Sequence, residues 1–232
     1  MVTDNSNRTA AVLYIVPVPI GNYGDITFRA VEVLKQVPLI ICEEFREARR
    51  LLSRFDINTE LAGLNEHNEK NEAGALAEKI LESGSAALIS DCGTPVFSDP
   101  GEELISVCLS KGIKVITLPG ANSLITALSG SGLSLDTFYF AGWLSPKREL
   151  RRKELERLRK IKDIIVLMDT PYRLVQLLES VSEVFGKQKY VVLAYQLTYP
   201  DEEYLRGSIE QVHSSASSRK LKGEFVLIID NK

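Results

Sequence analysis

The sequence predicts an α/β fold made of two α/β domains. Three observations carry that prediction. Short apolar runs alternate with amphipathic stretches from Val12 onward, a pattern that implies parallel strands joined by right-handed helical crossovers. Three of those runs end in turns rich in Gly and Pro: "PVPIGNYGD" (17–25), "SDCGTPVFSDPG" (90–101) and "LPGANS" (118–123). The third of these also marks a change in character, so a domain boundary is placed near Pro119-Gly120. The ranges expected are 11–118 and 119–232, after a polar, disordered lead-in over 1–10.

Taken in order, Val12 to Val16 reads as a buried strand and Ile26 to Gln36 as a helix with Asp25 as its N-cap. Leu39 to Cys42 is a second apolar run. Glu44 to Phe55 has helical spacing, with Phe45, Ala48, Leu51 and Leu52 on one face and four arginines turned outward. Ala73 to Ser83 is a helix stopped by Gly84. Ala86 to Ile89 is a strand, Glu102 to Lys111 a helix ended by Gly112, and Val115 to Leu118 a strand. Beyond the boundary, Ser123 to Ser129 is helical and Thr137 to Phe140 β-like. Lys147 to Lys162 is a helix with Leu155, Leu158 and Ile161 inward. Ile164 to Leu167, Tyr190 to Ala194 and Phe225 to Ile229 read as strands, and Pro171 to Val184 as a helix with Pro171 in its first turn. Trp143 and Phe138 read as core or cleft wall rather than as platforms for nucleobases.

Composition narrows the function classes. No apolar run reaches the roughly 18–20 residues that span a bilayer, and the first ten residues lack the order of a signal peptide. The three cysteines are widely spaced and form no CxxC pair, so neither a disulfide framework nor a zinc site is expected; a reducing cytosol fits. The net charge of −3 argues against a general polycation, yet Lys147 to Lys162 holds nine Lys and Arg against three Glu. A local patch of that kind binds polyanions even on an acidic protein; its plain alternative is a solvated amphipathic face.

The three turns read as a ligand site. Ligands of open parallel sheets bind at the carboxyl ends of strands. Glycines there let main-chain groups approach a ligand, and prolines lower the entropy lost in fixing the loop. Neither GxxxxGK[ST] nor GxGxxG occurs, which removes the common phosphate loops. Asp91 and Asp99 would repel a phosphate and suit a cation or a ribose hydroxyl, so a ligand carrying a sulfonium and an ammonium fits. The competing view is turn chemistry alone, with the two aspartates as caps.

These segments resemble a known family. "LYIVPVPIGNYGDITFRAVEVLKQV", "EHNE", "LISDCGTPVFSDPG", "LPGANSLITALSGSGLSLDTF" and "SPKRELRRKELERL" are similar to the RsmI family. Its members are small-subunit ribosomal RNA cytidine 2′-O-methyltransferases of the tetrapyrrole methylase superfamily. The likeness runs from about Leu13 to "KGEFVLII". It implies two α/β domains, S-adenosylmethionine (SAM) in an intervening cleft, and a homodimer; the cysteine pattern adds the expectation of a cytoplasmic protein without metal. It implies cofactor contacts from Pro19, Gly21, Asp91, Gly93, Thr94, Pro95, Val96, Phe97, Ser98, Asp99, Pro119, Gly120 and Ser123, with Met168 and Ala194 from the second domain. The chain departs from the family where "EDTR" becomes "EEFR", "YESPHR" becomes "MDTPYR" and "ARELTK" becomes "AYQLTY". The transferase chemistry is thus better carried than the RNA substrate.

A ribose hydroxyl acting as nucleophile must lose its proton. Asp25, Glu44, Glu66 and His67 are the candidate groups, and Arg46 shares the strand end with Glu44. Each has a plain alternative: helix-end charge for Glu44, a capping or surface role for His67 in "NEHNE", and a solvated stripe for Arg46. Lys147, Arg148, Arg151 and Arg152 are the candidate RNA contacts, with ribosomal RNA or the small subunit as partner. Two other functions stay open: a methyltransferase of this fold acting on another acceptor, and a SAM- or RNA-binding protein without catalysis.

Overall fold

The computed structural model describes residues 11–232, which form two compact units, 11–122 and 123–232. The lead-in expected over 1–10 lies outside the described residues.

The first unit holds β1 (Val12–Ile15), α1 (Phe28–Gln36), β2 (Leu39–Cys42), α2 (Phe45–Ser53), β3 (Glu60–Gly63), α3 (Glu69–Ser83), β4 (Ser85–Leu88), α4 (Glu102–Ser110) and β5 (Lys114–Thr117). Its sheet has the order β3-β2-β4-β1-β5 and is parallel throughout. Strand alternation sorts the core onto two faces. Leu13, Ile15, Leu39, Ile41 and Leu88 pack with Leu76 and Ile80 of α3 and Leu104 of α4. Val16, Ile40, Cys42, Ala87 and Ile89 pack with Leu34 of α1 and Leu51 and Leu52 of α2. Helices therefore cover both faces, as a parallel sheet requires.

Strand β3 was not expected from sequence: "ELAG" has no β-branched residue and forms the sheet's edge. The expected N-cap of α1 is also corrected. Thr27, not Asp25, holds that place, because its Oγ1 accepts the Ala30 amide at 3.0 Å. Asp25 sits in a 3₁₀ turn capped by Asn22, whose Oδ1 accepts the Gly24 amide.

The second unit holds α5 (Ser123–Ser129), β6 (Phe138–Trp143), α6 (Arg148–Leu158), β7 (Ile164–Asp169), α7 (Leu174–Phe185), β8 (Tyr190–Tyr195), β9 (Glu203–Ser208), α8 (Ile209–Arg219) and β10 (Phe225–Asp230). The sheet order is β6-β7-β10-β8-β9, and only β6 and β7 run parallel. The parallel pairing expected from alternation fails here because β10 enters between β7 and β8 in the opposite sense, and β8 returns through a short connection into β9. The helices α6, α7 and α8 bury one face through Leu155, Leu158, Leu177, Val181, Ile209 and Val212, and α5 packs against β10. Helix α6 is shorter than the 147–162 expected, and a 3₁₀ turn at Pro171–Arg173 precedes α7.

Arg151 is one of the few buried charged residues, 4% exposed. Its Nε donates to Ser180 Oγ at 3.0 Å, and its Nη1 donates to the Ser145 and Pro146 carbonyls at 3.2 and 3.0 Å. Arg173 adds bonds to the Leu144 and Ser145 carbonyls, both at 3.0 Å, and an ion pair to buried Asp169 at 3.2 Å. Two arginines thus fix the loop between β6 and α6 from below. Burial raises the Asp169 carboxyl; the Thr170 amide and both arginines oppose that. Replacing Arg151 by Met takes the donor from the Pro146 carbonyl and the Ser180 hydroxyl, and leaves the Ser145 carbonyl to Arg173 alone. We expect a loss of about 2–4 kcal/mol of stability in urea unfolding, against less than about 0.5 kcal/mol for Arg152→Met.

Candidate active site

In the first unit the chain leaves β1 toward β2 on one side and leaves β4 toward β5 on the other. The order reverses between the adjacent strands β1 and β4, which is where open α/β sheets bind ligands. The loops at this edge hold each other by main-chain bonds. Val18 and Gly93 form an antiparallel bridge, with N···O distances of 2.8 and 3.1 Å. Thr94 Oγ1 donates to the Ala121 carbonyl at 2.8 Å. Gly120 lies so near Pro17 that an added Cβ would stand 2.5 Å from the proline Cβ. The three turns singled out in the sequence therefore form one clasp.

Within the middle loop, Ser90 Oγ bonds the Cys92 and Gly93 carbonyls. Val96 and Ser98 hold φ angles of 71° and 66°. That conformation is an outlier for a β-branched residue and persists only where its surroundings over-determine it. The loop's far end is tied down by Glu69. Its Oε1 accepts the Gly101 and Glu103 amides at 2.8 and 2.9 Å, so a carboxylate on α3 satisfies the open N-terminus of α4. Gly101, at φ 136°, faces Leu88 and Val96 at distances no Cβ tolerates.

Acidic groups line the same edge. Asp91 Oδ1 accepts the Glu44 amide at 3.2 Å, joining the ends of β4 and β2. Partial burial, followed by the charges of Glu43 and Asp91, pushes Asp99 up to about 6. Glu43 is raised by burial and by Asp91, Glu66 and Glu44. Asp91 is raised by burial, against the pull of the Glu44 amide. Three carboxyls that hinder one another's ionisation favour a cation beside them.

Pro19, Gly93 and Pro95 are buried in the clasp; Gly21, Thr94, Val96, Phe97 and Asp99 are half-buried; Asp91, Ser98, Pro119 and Gly120 are exposed. Asp25, Glu44 and Arg46 are exposed. His67 is exposed beside Glu66 at 3.5 Å, in a turn made by Asn65 and Asn68. Ser123 opens α5, in the second unit. There Met168 and Ala194 share one row of the sheet: both pair with Val226, at the carboxyl ends of β7 and β8.

Of the expected RNA contacts, Lys147, Arg148 and Arg152 are exposed, with Arg148 near Glu183 and Arg152 near Glu156. Arg151 is not available. Its position shares a helix face with Leu155 and Leu158, and it serves the fold. Trp143 and Phe138 are not core: they are 50% and 39% exposed. Sequence reasoning missed the anchoring by Glu69, which has no local signal because its partners lie more than thirty residues away. Two surface hollows of about 430 and 380 Å³ lie around Ile57–Leu61 and around Pro38, Lys79 and Ser83, at the opposite edge of the first sheet.

The model of the tetrapyrrole (corrin/porphyrin) methylase family matches residues 12–213, a span that takes in the parallel sheet with its glycine- and proline-built loops and most of the mixed sheet that follows. The chain belongs to this family, and within it to the ribosomal RNA small subunit methyltransferase I group; it is a methyltransferase. The protein of that name from Vibrio cholerae is 40% identical over 231 residues, covering 98% of this chain and 80% of the relative. The one from Bacillus subtilis is 36% identical, covering 97% and 77%. Among solved structures, uroporphyrin-III C-methyltransferase from Thermus thermophilus, complexed with S-adenosyl homocysteine, shares the fold. Its TM-score is 0.66, at 16% identity over 94% of this chain and 96% of the other. Among the described residues, no helix is long and apolar enough to cross a membrane.

Glu69→Ala removes both charge-assisted bonds and frees the loop. We expect about 2–3 kcal/mol lower stability and faster amide exchange at Gly101 and Glu103. Glu69→Gln, which keeps an acceptor, loses less than half of that.

Proposed function

We propose that this methyltransferase takes its methyl group from SAM and delivers it to small-subunit ribosomal RNA, at the 2′-hydroxyl of a cytidine. The observation that carries the cofactor is the clasped edge: glycine- and proline-rich loops held to one another at the strand ends, with Asp91, Asp99 and Glu43 beside them. The names of the relatives support small-subunit ribosomal RNA as the acceptor; the cytidine 2′-hydroxyl rests on the family resemblance of the sequence. Pro19, Gly21, Gly93, Thr94, Pro95, Val96, Phe97, Ser98, Pro119, Gly120 and Ser123 hold the cofactor mainly through backbone, while Asp91 and Asp99 offset its positive charge.

SAM supplies a methyl group already activated for displacement, so the protein's work is alignment and proton removal. One bond forms, from the ribose oxygen to the methyl carbon; one breaks, from that carbon to sulfur, and its electron pair stays on sulfur. The hydroxyl proton goes to a base. Asp25, Glu44 and His67 are the proposed groups for that edge, with Arg46 holding acceptor charge. All four are exposed, as groups that meet a large substrate must be. Lys147, Arg148 and Arg152 contact phosphates and set the salt dependence of binding. The reading also makes the protein a homodimer that works in the cytoplasm, where its ribosomal substrate is.

The direct test is methyl transfer to unmodified small ribosomal subunits, with the product mapped to a ribose. Transfer to a base, or none, rejects the acceptor. Asp25→Ala is expected to lower transfer at least tenfold with SAM affinity intact; equal transfer removes Asp25 from the reaction.

Asp99 gives a pH signature. Its folded-state value lies above the ordinary carboxyl value, so its contribution to stability is present below about 4 and is lost as pH rises through about 6. A bound cation favours the ionised form. Affinity for SAM is therefore expected to rise between pH 5 and 7 in calorimetry, with protons released on binding. Asp99→Asn should flatten that rise and bind more weakly at pH 7.

A further inference from the structure

We propose that Trp143 and Tyr172 form a platform on which unpaired bases of the RNA acceptor stack. The inference rests on the ribosomal RNA reading and extends it, from phosphate contacts to recognition of bases.

Trp143 closes β6 and lies beside Met168 of β7 in the parallel pair. Tyr172 follows β7 by three residues, in the 3₁₀ turn before α7. The two rings therefore stand at the carboxyl ends of neighbouring strands. They are 50% and 85% exposed, so neither is needed to build the core. An exposed aromatic residue alone means little. These two differ because the backbone under them is held with unusual rigour. The residue after Trp143, Leu144, gives its carbonyl to Arg173, the residue after Tyr172, at 3.0 Å. Arg173 also holds the Ser145 carbonyl and pairs with buried Asp169. Buried Arg151 holds the carbonyls of Ser145 and Pro146 from the other side. Buried Arg151 and partly buried Arg173 thus hold the short loop that leads from the indole of Trp143 to Lys147 and Arg148, and Arg173 ties it to the turn that carries the phenol of Tyr172.

That combination has a chemistry. Aromatic faces accept any base by stacking, and neighbouring cations follow the phosphates, which is how proteins grip single-stranded nucleic acid. A second copy of the chain is the other occupant an aromatic edge strand suggests. It fits Phe138 and Tyr139 at the start of β6 better, since the Trp143 end is bordered by cations.

Trp143 is the sole tryptophan, so its fluorescence reports on this ring alone. The full chain is titrated with single-stranded oligocytidylate and, at matched salt, with inorganic polyphosphate, which has charge but no bases. Saturable quenching by the RNA, with none by polyphosphate, is the expected result. With binding followed by anisotropy of labelled RNA, Tyr172→Ala and Trp143→Ala should each weaken affinity about tenfold. Tyr172→Phe and Trp143→Phe should retain most of it, and urea melts of all four should match the wild type. In methyl transfer to subunits, KM should rise in the alanine variants while kcat holds. RNA that binds without quenching, alanine variants that bind as the wild type does, or fluorescence that follows protein concentration instead of RNA would each overturn the platform. Failure of the wild type to methylate subunits would instead reject the substrate reading, while quenching by RNA would still stand for the platform.

Discussion

The clasp among the strand-end loops is the constraint on which the rest depends. A parallel sheet gathers its loops at one edge but does not make them rigid. Here rigidity comes from three separate links: the Val18–Gly93 bridge, the Thr94 hydroxyl on Ala121, and the close seat of Gly120 on Pro17. Each uses backbone or a small side chain, so the loops are joined without bulky groups between them. The strained angles at Val96 and Ser98 are tolerable because the loop is fixed on both sides, by the bridge before and by Glu69 after. Without the Glu69 carboxylate at the start of α4, the strain would relax by opening the loop.

The electrostatics of the edge follow from this geometry. Fixing the loops brings Asp91 and Asp99 near the strand end that carries Glu43, and partial burial removes some of the water that would screen them. The result is a site that resists its own ionisation and is relieved by a positive ligand. A phosphate-binding edge would need the reverse: bare amides at a helix N-terminus. Helix α4 has such a terminus, but Glu69 already occupies it. One carboxylate therefore has two consequences, holding the loop and denying the nearest anion site.

Much of this was legible in the sequence, and for specific reasons. The glycines and prolines of 17–25, 90–101 and 118–123 announced turns after apolar runs, and all three meet. The elements that escaped lacked that contrast. Strand β9, "EYLRGS", is a charged edge strand, and α8 is rich in serine, although its capping box of Ser208 and Gln211 was a readable start signal. Missing β9 hid the short return from β8, and with it the antiparallel character of the second sheet. Arg151 was read by its charge when its position, four and seven residues before Leu155 and Leu158, was the better guide. Trp143 was misread the other way, by hydrophobicity, since sequence cannot say that a sheet's edge leaves its last residue in water.

Those two corrections belong together. A buried arginine is costly unless every donor has a partner, and Arg151 finds its partners in carbonyls of a loop that leads from an exposed tryptophan to an exposed lysine. Replacing whole buried ion pairs by apolar residues can be neutral in other proteins, but Arg151 serves carbonyls that would stay behind unpaired, so an apolar side chain in its place costs stability. What an apolar residue cannot do is hold two successive carbonyls in fixed directions. The charge inside the second unit makes structural sense as the means of giving a surface loop one shape, and a loop needs one shape when its side chains must meet a partner in register. The basic residues that do face solvent, Lys147, Arg148 and Arg152, then act from a surface whose form is set from within.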